Sequence, residues 1–460
     1  MAIPVFYYVY QKLYGGLEKF DTGKFYNDIK VIHDFGLKDF GFYVRLLFGF
    51  QNDMPGSYDY EYCLMHTLNW DNGTMKDYLY NDNRILIRVH SIIQFIAFDS
   101  YAVQALFSCF FSFIGIVFLY KSFRDYFGGK EIWVLLIFCF LPALWFYTGG
   151  LLKEGLTLLT LGMSMYILKS VIAGKRGLLK LTGLVLLIVM SCLLKPYLLV
   201  FALICFSCFF WIKQHDKIKQ KSLLFFSLIF FTLLAANTLS LLVKHRSLWE
   251  AAIKHQRIFN GVAKGGIFLY NKDKFIRITY DSSLVNRVAH RSDLFTIKAK
   301  TPFMYWKNGQ PEDTLNCAAN SDTLSQYRLA YMISPANSNV DVASSKANLL
   351  ILFTSCLYYA LFSPLFVNAH SALQVLASVE NLVLALALLY ILIQVFVSKK
   401  ERFPVLVFLF FAFSLCLLFG LSTPNSGAII RYRAPAVLFI LLGALYYLPV
   451  SKTTFFKKFN

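Results

Sequence analysis

The sequence predicts an all-α polytopic membrane bundle of about nine transmembrane helices carrying a small mixed α/β extracytoplasmic cap. Three observations predict it. Apolar residues make up 57% of the chain and charged residues 15%, where soluble globular chains run near ~25% charged. The apolar residues arrive in separate uncharged runs, each close to the ~20 residues a helix needs to cross ~30 Å of hydrocarbon. Lys and Arg gather in alternate connections between those runs, as charge-directed insertion requires.

From the N-terminus, residues 1–97 form a polar segment. Its first 14 residues, opening Met-Ala-Ile-Pro-Val-Phe-Tyr-Tyr-Val-Tyr, are too short to span. An outward segment of this kind ordinarily follows a first helix that delivers it, and that helix is missing from the pattern. The spans follow at about 99–121, 131–148, 151–169, 180–195, 197–213, 222–243, 374–397, 403–421 and 431–449. This divides the chain into a first block of six helices (98–243), a cap (244–373), a second block of three helices (374–449) and a basic tail (450–460).

Orientation follows from the short loops. The connections 121–131, 169–180, 213–221 and 399–402, with the tail 452–458, hold 17 bases against Asp125, Glu131, Asp216 and Glu401. The opposite set holds Lys153, Lys195, Arg431, Arg433 and Glu154. The first set is therefore predicted to be cytoplasmic, which gives a multi-pass protein of the inner (plasma) membrane with a cytoplasmic C-terminus. Were the apolar run 348–366 also to span, Lys399–Arg402 would move outside. It is read instead as a re-entrant or interfacial helix, with Pro364 near its end.

In the cap, Leu248 to Ile258 reads as helix. Gly-Gly-Ile-Phe-Leu-Tyr, Phe-Ile-Arg-Ile-Thr-Tyr and Phe-Thr-Ile-Lys-Ala alternate like short strands between Asp, Lys and Asn turns. Most of the nine cysteines lie in apolar runs, where a thiol is a small hydrophobe. Cys63 and Cys317 lie in polar regions and are open to pairing in an oxidising compartment. Cys205-x-x-Cys208 lacks a second ligand pair, the histidines show no ligand spacing, and no metal site or cofactor is predicted. A divalent ion is open chemically but has no support in the pattern. Asn72-Gly-Thr matches a glycosylation acceptor. The formal charge of +19 is ordinary topogenic charge and needs no nucleic-acid partner. No P-loop, dinucleotide fingerprint or nucleophile elbow is present, which disfavours ATP-driven transport and soluble-type hydrolysis.

The candidate functional residues are charges where insertion rules give no reason for them. Arg431 and Arg433 flank Tyr432 at the outer start of the last helix. Guanidinium groups at that depth are costly without an anion, and a phosphate suits their planar fork. Pairing with Glu154 or Glu380 is the plainer alternative. Lys153-Glu154 follows Gly149-Gly150 in a tight outer hairpin, and Lys195-Pro196-Tyr197 turns at the same level. Together these cations form a rim. Asp21, with Glu18 and Asp28 as alternatives, is the carboxylate placed to act as a general base. Glu380, beside Asn381, is an ionisable residue within a span and is a candidate on that ground.

These residues give the chain a layout that resembles multi-pass bacterial glycosyltransferases of the GT-C type. The resemblance rests on Asp21 followed by Tyr26, on the hairpin Gly149 to Glu154 with Lys195-Pro196-Tyr197, and on Asn425-Ser-Gly-Ala-Ile-Ile-Arg431-Tyr432-Arg433. It implies that Asp21 is the catalytic base and that Lys153, Lys195, Arg431 and Arg433 lie near a lipid phosphate, with Glu154, Tyr197, Glu380 and Tyr432 in support. It further implies transfer of a sugar from a polyprenyl-phosphate carrier to a glycan, lipid or protein acceptor outside the cytoplasm, for cell-envelope polysaccharide or glycoconjugate synthesis. A polysaccharide polymerase shares this layout. A transporter or flippase of an anionic lipid or saccharide predicts charges deep in several helices, and Glu380 alone answers to that. A membrane scaffold whose cap binds a partner is a third class.

Overall fold

The computed structural model describes residues 2–50 except 14, 57–70, 82–244 except 176 and 216, parts of 247–333, and 349–449 except 370, 371, 424 and 425. The glycosylation acceptor at 72–74, the expected helix at 248–258 apart from Glu250, and the tail from 450 lie outside the described residues.

The chain is a helical membrane protein. Six described helices are long and apolar enough to cross a bilayer: Tyr101–Tyr126, Lys153–Ile172, Tyr197–Gln214, Lys221–Leu242, Leu373–Val397 and Phe403–Leu421. Four shorter apolar helices accompany them: Glu131–Phe140, Leu178–Leu194, Ile351–Phe362 and Ala434–Tyr447. In chain order we number the α-helices α1 (Ala2–Tyr8), α2 (Asp21–Lys38), α3 (Phe40–Phe48), α4 (Tyr58–His66), α5 (Asp82–Ala97), α6 (Tyr101–Phe123), α7 (Glu131–Phe140), α8 (Pro142–Tyr147) and α9 (Lys153–Ile172). Then follow α10 (Leu178–Leu194), α11 (Pro196–Gln214), α12 (Lys221–Lys244), α13 (Leu349–Phe362), α14 (Ala372–Val397), α15 (Phe403–Ser422), α16 (Ser426–Tyr432) and α17 (Ala434–Tyr447).

Two expected spans are broken. The run 131–148 divides at Leu141-Pro142 into α7 and α8, because Pro142 has no N–H to donate and its ring excludes the preceding turn. The break leaves the Ala143 N–H free of a helical partner, and it donates to Glu380 Oε2 at 3.0 Å. The run 431–449 begins inside α16 and resumes as α17 after Arg433. The apolar run 348–366 holds only the 14-residue α13, too short to span, which ends before Pro364.

The two helical blocks form one core rather than two. Phe123 of α6, Phe206 of α11, Phe408 and Phe411 of α15, and Phe439 of α17 meet at the centre. Their ring centroids are 5.1 Å apart for Phe123–Phe206, 4.8 Å for Phe206–Phe439 and 5.0 Å for Phe411–Phe439. Helices α6 and α9 run parallel in close contact. A Cβ on Gly155 would fall 2.7 Å from the Ser108 carbonyl oxygen, and one on Gly162 would strike the backbone of Gly115. Glycine is what lets the two backbones approach.

The described stretch of the cap, within 266–333, carries the expected strands, while the expected helix falls on residues that are not described apart from Glu250. The strands form a seven-stranded antiparallel sheet in the order β3-β4-β7-β1-β2-β5-β6. The strands are β1 (Gly266–Asn271), β2 (Lys274–Ile278), β3 (Val285–Arg287), β4 (Leu294–Ile297), β5 (Pro302–Lys307), β6 (Gln310–Cys317) and β7 (Tyr327–Ile333). Ile267, Leu269, Ile276, Ile278, Ile297 and Phe303 form its buried face. Cys63 is buried, and the side chain of Cys317 lies outside the described residues.

Candidate functional site

The short segments at one end of the bundle enclose a cavity of about 470 Å³, lined by Tyr10, Phe20, Asp21, Pro142, Ala143, Tyr147, Glu380, Arg431 and Tyr432 among others. Asp21 enters as the first residue of α2 and keeps 60% of its side chain exposed. The loop before it is tight: a Cβ on Gly23 would strike the Leu17 backbone. Thr22, the next residue, shares a 2.7 Å hydrogen bond with the Tyr101 hydroxyl, which ties this end of α2 to α6.

Arg431 is the cation of the cavity. Its Nη1 lies 3.7 Å from Asp21 Oδ2 and its Nε 3.2 Å from Glu154 Oε1, and its Nη2 donates to the Tyr432 hydroxyl at 3.0 Å. Glu154 Oε1 also accepts from Lys195 Nζ at 2.9 Å, while Oε2 is buried with no hydrogen-bond partner among the described residues. The Lys195 ammonium lies 4.3 Å from the Tyr432 ring centroid and the Arg431 guanidinium 4.9 Å from it. One aromatic ring thus contacts two cations. The Lys195 and Glu154 side chains are 10% and 11% exposed, so their pairing is screened little by water. With two cations against Glu154 and Asp21, the cluster is balanced until an anion or a proton disturbs it.

Five of the expected residues therefore meet: Asp21, Glu154, Lys195, Arg431 and Tyr432. Glu380 reaches the same cavity from α14. Lys153 does not line it; its Nζ lies 5.9 Å from the Phe25 ring centroid, on the α2 side. Tyr197 packs edge-on to Phe419 at 5.8 Å.

Arg433 corrects the expectation of a phosphate ligand. It is fully buried, and its Nη1 donates to the carbonyls of Ala360, Leu361 and Ser363 at 3.0, 3.0 and 3.2 Å. Its Nη2 donates to Asn381 Oδ1 and lies 3.8 Å from Glu380 Oε1. Asn381 Nδ2 donates in turn to the Phe362 and Pro364 carbonyls at 3.0 and 2.7 Å. Arg433 and Asn381 are thus the cap of α13, whose last carbonyls have no helical donors.

A second, apolar cavity of about 320 Å³ adjoins the first, and the two share Pro142, Leu376 and Glu380. Trp133, Phe140, Val379, Val383, Val437 and Leu441 line it, between α7, α14 and α17. Phe140 is 69% exposed on its rim, so the slot opens toward lipid. A charged chamber continued by an apolar slot matches an amphiphile with an anionic head.

Sequence reasoning missed Tyr10, Phe20 and Tyr147 in the lining, and the apolar slot. Pro142 within an apolar run was the available signal for the broken helix. Among the described residues no three His, Cys, Asp or Glu side chains gather so as to hold a metal ion. Compared with family models, curated proteins and solved structures, the chain matches none.

Proposed function

We propose that this protein is a membrane glycosyltransferase that moves a sugar from a polyprenyl-phosphate carrier to an acceptor hydroxyl outside the cytoplasm. One observation carries the reading: Asp21 and Arg431 face a single cavity that continues into an apolar slot open to lipid. In this reading the carrier chain lies in the slot and its phosphate meets Arg431, which forms charge-assisted hydrogen bonds to phosphate oxygens. Lys195 and Glu154 fix the guanidinium. Asp21 accepts the proton of the acceptor hydroxyl as that oxygen attacks the anomeric carbon. The bond from the anomeric carbon to the phosphate oxygen breaks, the lipid phosphate leaves with the electron pair, and Arg431 stabilises its charge. Attack opposite the leaving group inverts the anomeric centre.

The reading includes nine traversals, with α7–α8 and α16–α17 crossing as broken helices, the cavity outside and the C-terminus in the cytoplasm of a plasma-membrane protein. The test is sugar transfer by the purified chain in nanodiscs, from polyprenyl-phosphate donors of several sugars. Asp21→Asn is expected to lower turnover by roughly 10²–10⁴-fold. Arg431→Ala is expected to weaken donor use while the protein remains folded. Wild-type turnover in both variants overturns the assignment.

A further inference from the structure

We propose that the turn joining α5 to α6, with the exposed edge of α5, is seated among the headgroups and upper acyl chains of the leaflet nearest the cavity, with Phe98 as its anchor. Phe98 is 90% exposed, the most of any large hydrophobic side chain described. Phe98 and Asp99 have φ of 50° and 55°, a conformation unfavourable for side chains with a Cβ. Two helices hold the turn in it. The Tyr26 hydroxyl of α2 donates to the Asp99 carbonyl at 2.6 Å, Lys30 Nζ of α2 meets Asp99 Oδ2 at 2.7 Å, and Gln94 Nε2 of α5 donates to Oδ1 at 3.1 Å. The clamp ties the half-exposed Asp99 to α2 and α5 and so fixes the backbone of the turn that presents Phe98.

The neighbouring surface is apolar as well. Ile92, Phe95 and Ile96 share a face of α5, as i, i+3 and i+4 positions do, and are 54%, 44% and 57% exposed. Phe95 contacts Tyr43, and Tyr43 contacts the 69%-exposed Phe40, at 5.7 and 6.3 Å between ring centroids. The level of this surface is set by α6. His90 Nδ1 is 2.7 Å from Gln104 Oε1 and its Nε2 is 3.3 Å from Ser108 Oγ, so α5 descends beside the first two turns of α6. That span exposes Leu106, Phe110 and Phe113 to lipid and begins at Tyr101, two residues after Asp99. A patch continuous with a lipid-facing span meets the bilayer interface, where partly buried aromatics and aliphatics are favourable. In water the same patch would be a liability.

The experiment uses the full chain in phosphatidylcholine–phosphatidylglycerol nanodiscs, with the photocrosslinker p-benzoylphenylalanine in place of Phe98, Ile96, exposed Asn27 on α2, or lipid-facing Phe113. Mass spectrometry is expected to find lipid adducts at positions 98 and 96 at yields like that of 113 and several-fold above that of 27. Yields no higher than at 27, or crosslinks to a second copy, overturn the proposal. With Tyr26→Phe and Lys30→Met added, the adduct at 98 is expected to fall several-fold while that at 113 is unchanged. An undiminished adduct there overturns the role of the clamp.

Discussion

Replacing Arg433 by methionine removes a guanidinium that holds two α13 carbonyls, the Ser363 carbonyl just beyond them, Asn381 and the Glu380 carboxylate. Methionine fills similar volume, so packing loss is small. Two losses remain. The α13 carbonyls lose their donor where water does not reach, about 1–3 kcal/mol for an unsatisfied buried group. Glu380, 6% exposed, is left as a buried carboxylate without its cation, and breaking such a pair by removing one partner costs roughly 3–5 kcal/mol. A total near 4 kcal/mol is expected, since the two losses overlap. Thermal unfolding of the purified protein, followed by tryptophan fluorescence in one detergent, should show a midpoint lower by several degrees. Glu380→Gln keeps an oxygen for the Ala143 N–H while removing the charge. In the double variant it should therefore recover most of the charge-related loss, leaving roughly 1–2 kcal/mol. The reasoning fails if Arg433→Met unfolds with the wild-type midpoint, or if adding Glu380→Gln lowers the midpoint further.

Gly162→Leu forces a side chain into the Gly115 backbone of α6, so α6 and α9 must separate, and the folded yield in membranes should collapse, while Gly183→Leu in α10, whose Cβ would meet nothing nearer than 3.9 Å, is the control and should leave it unchanged. Glu154→Gln leaves Lys195 and Arg431 facing each other without their common anion, and a midpoint lower by about 3 kcal/mol equivalent is expected, read by the same melt. Burial pushes the fully buried His90 down to about 4. The unfolded chain binds a proton near 6.5 that the folded one refuses, so stability falls as pH drops from about 6.5 toward 4, by roughly 3 kcal/mol. His90→Gln should flatten that part of the midpoint-against-pH curve, and an unchanged slope would contradict it. Val383→Trp fills the apolar slot and, if a carrier chain lies there, raises the donor KM with little change in kcat; an unaltered KM counts against the slot.

Composition and the length of uncharged runs were enough for the membrane class, because hydrocarbon accepts only helices or closed barrels and a helix needs a run of fixed length. The alternation of apolar residues likewise marked β1, β2 and β4. The residues that meet around Arg431 were partly legible for a related reason: Glu154, Lys195 and Arg431 stand where insertion rules place no charge, and a misplaced charge is visible in one dimension. What such a charge binds is not. Arg431 and Arg433 are two residues apart and were read alike, yet one opens into the chamber and the other is fully buried under α13. A helix turns by about 100° per residue, and a break such as the one between α16 and α17 resets that turn, so neighbours in the chain face different surroundings. Tertiary structure alone decided that the Ala143 N–H freed by the break at Pro142 is answered by Glu380, 237 residues away. It alone decided that the two helical blocks share one core through Phe123, Phe206, Phe411 and Phe439. Long-range partners are chosen by packing, and no local pattern records which element will fill the other side of a contact.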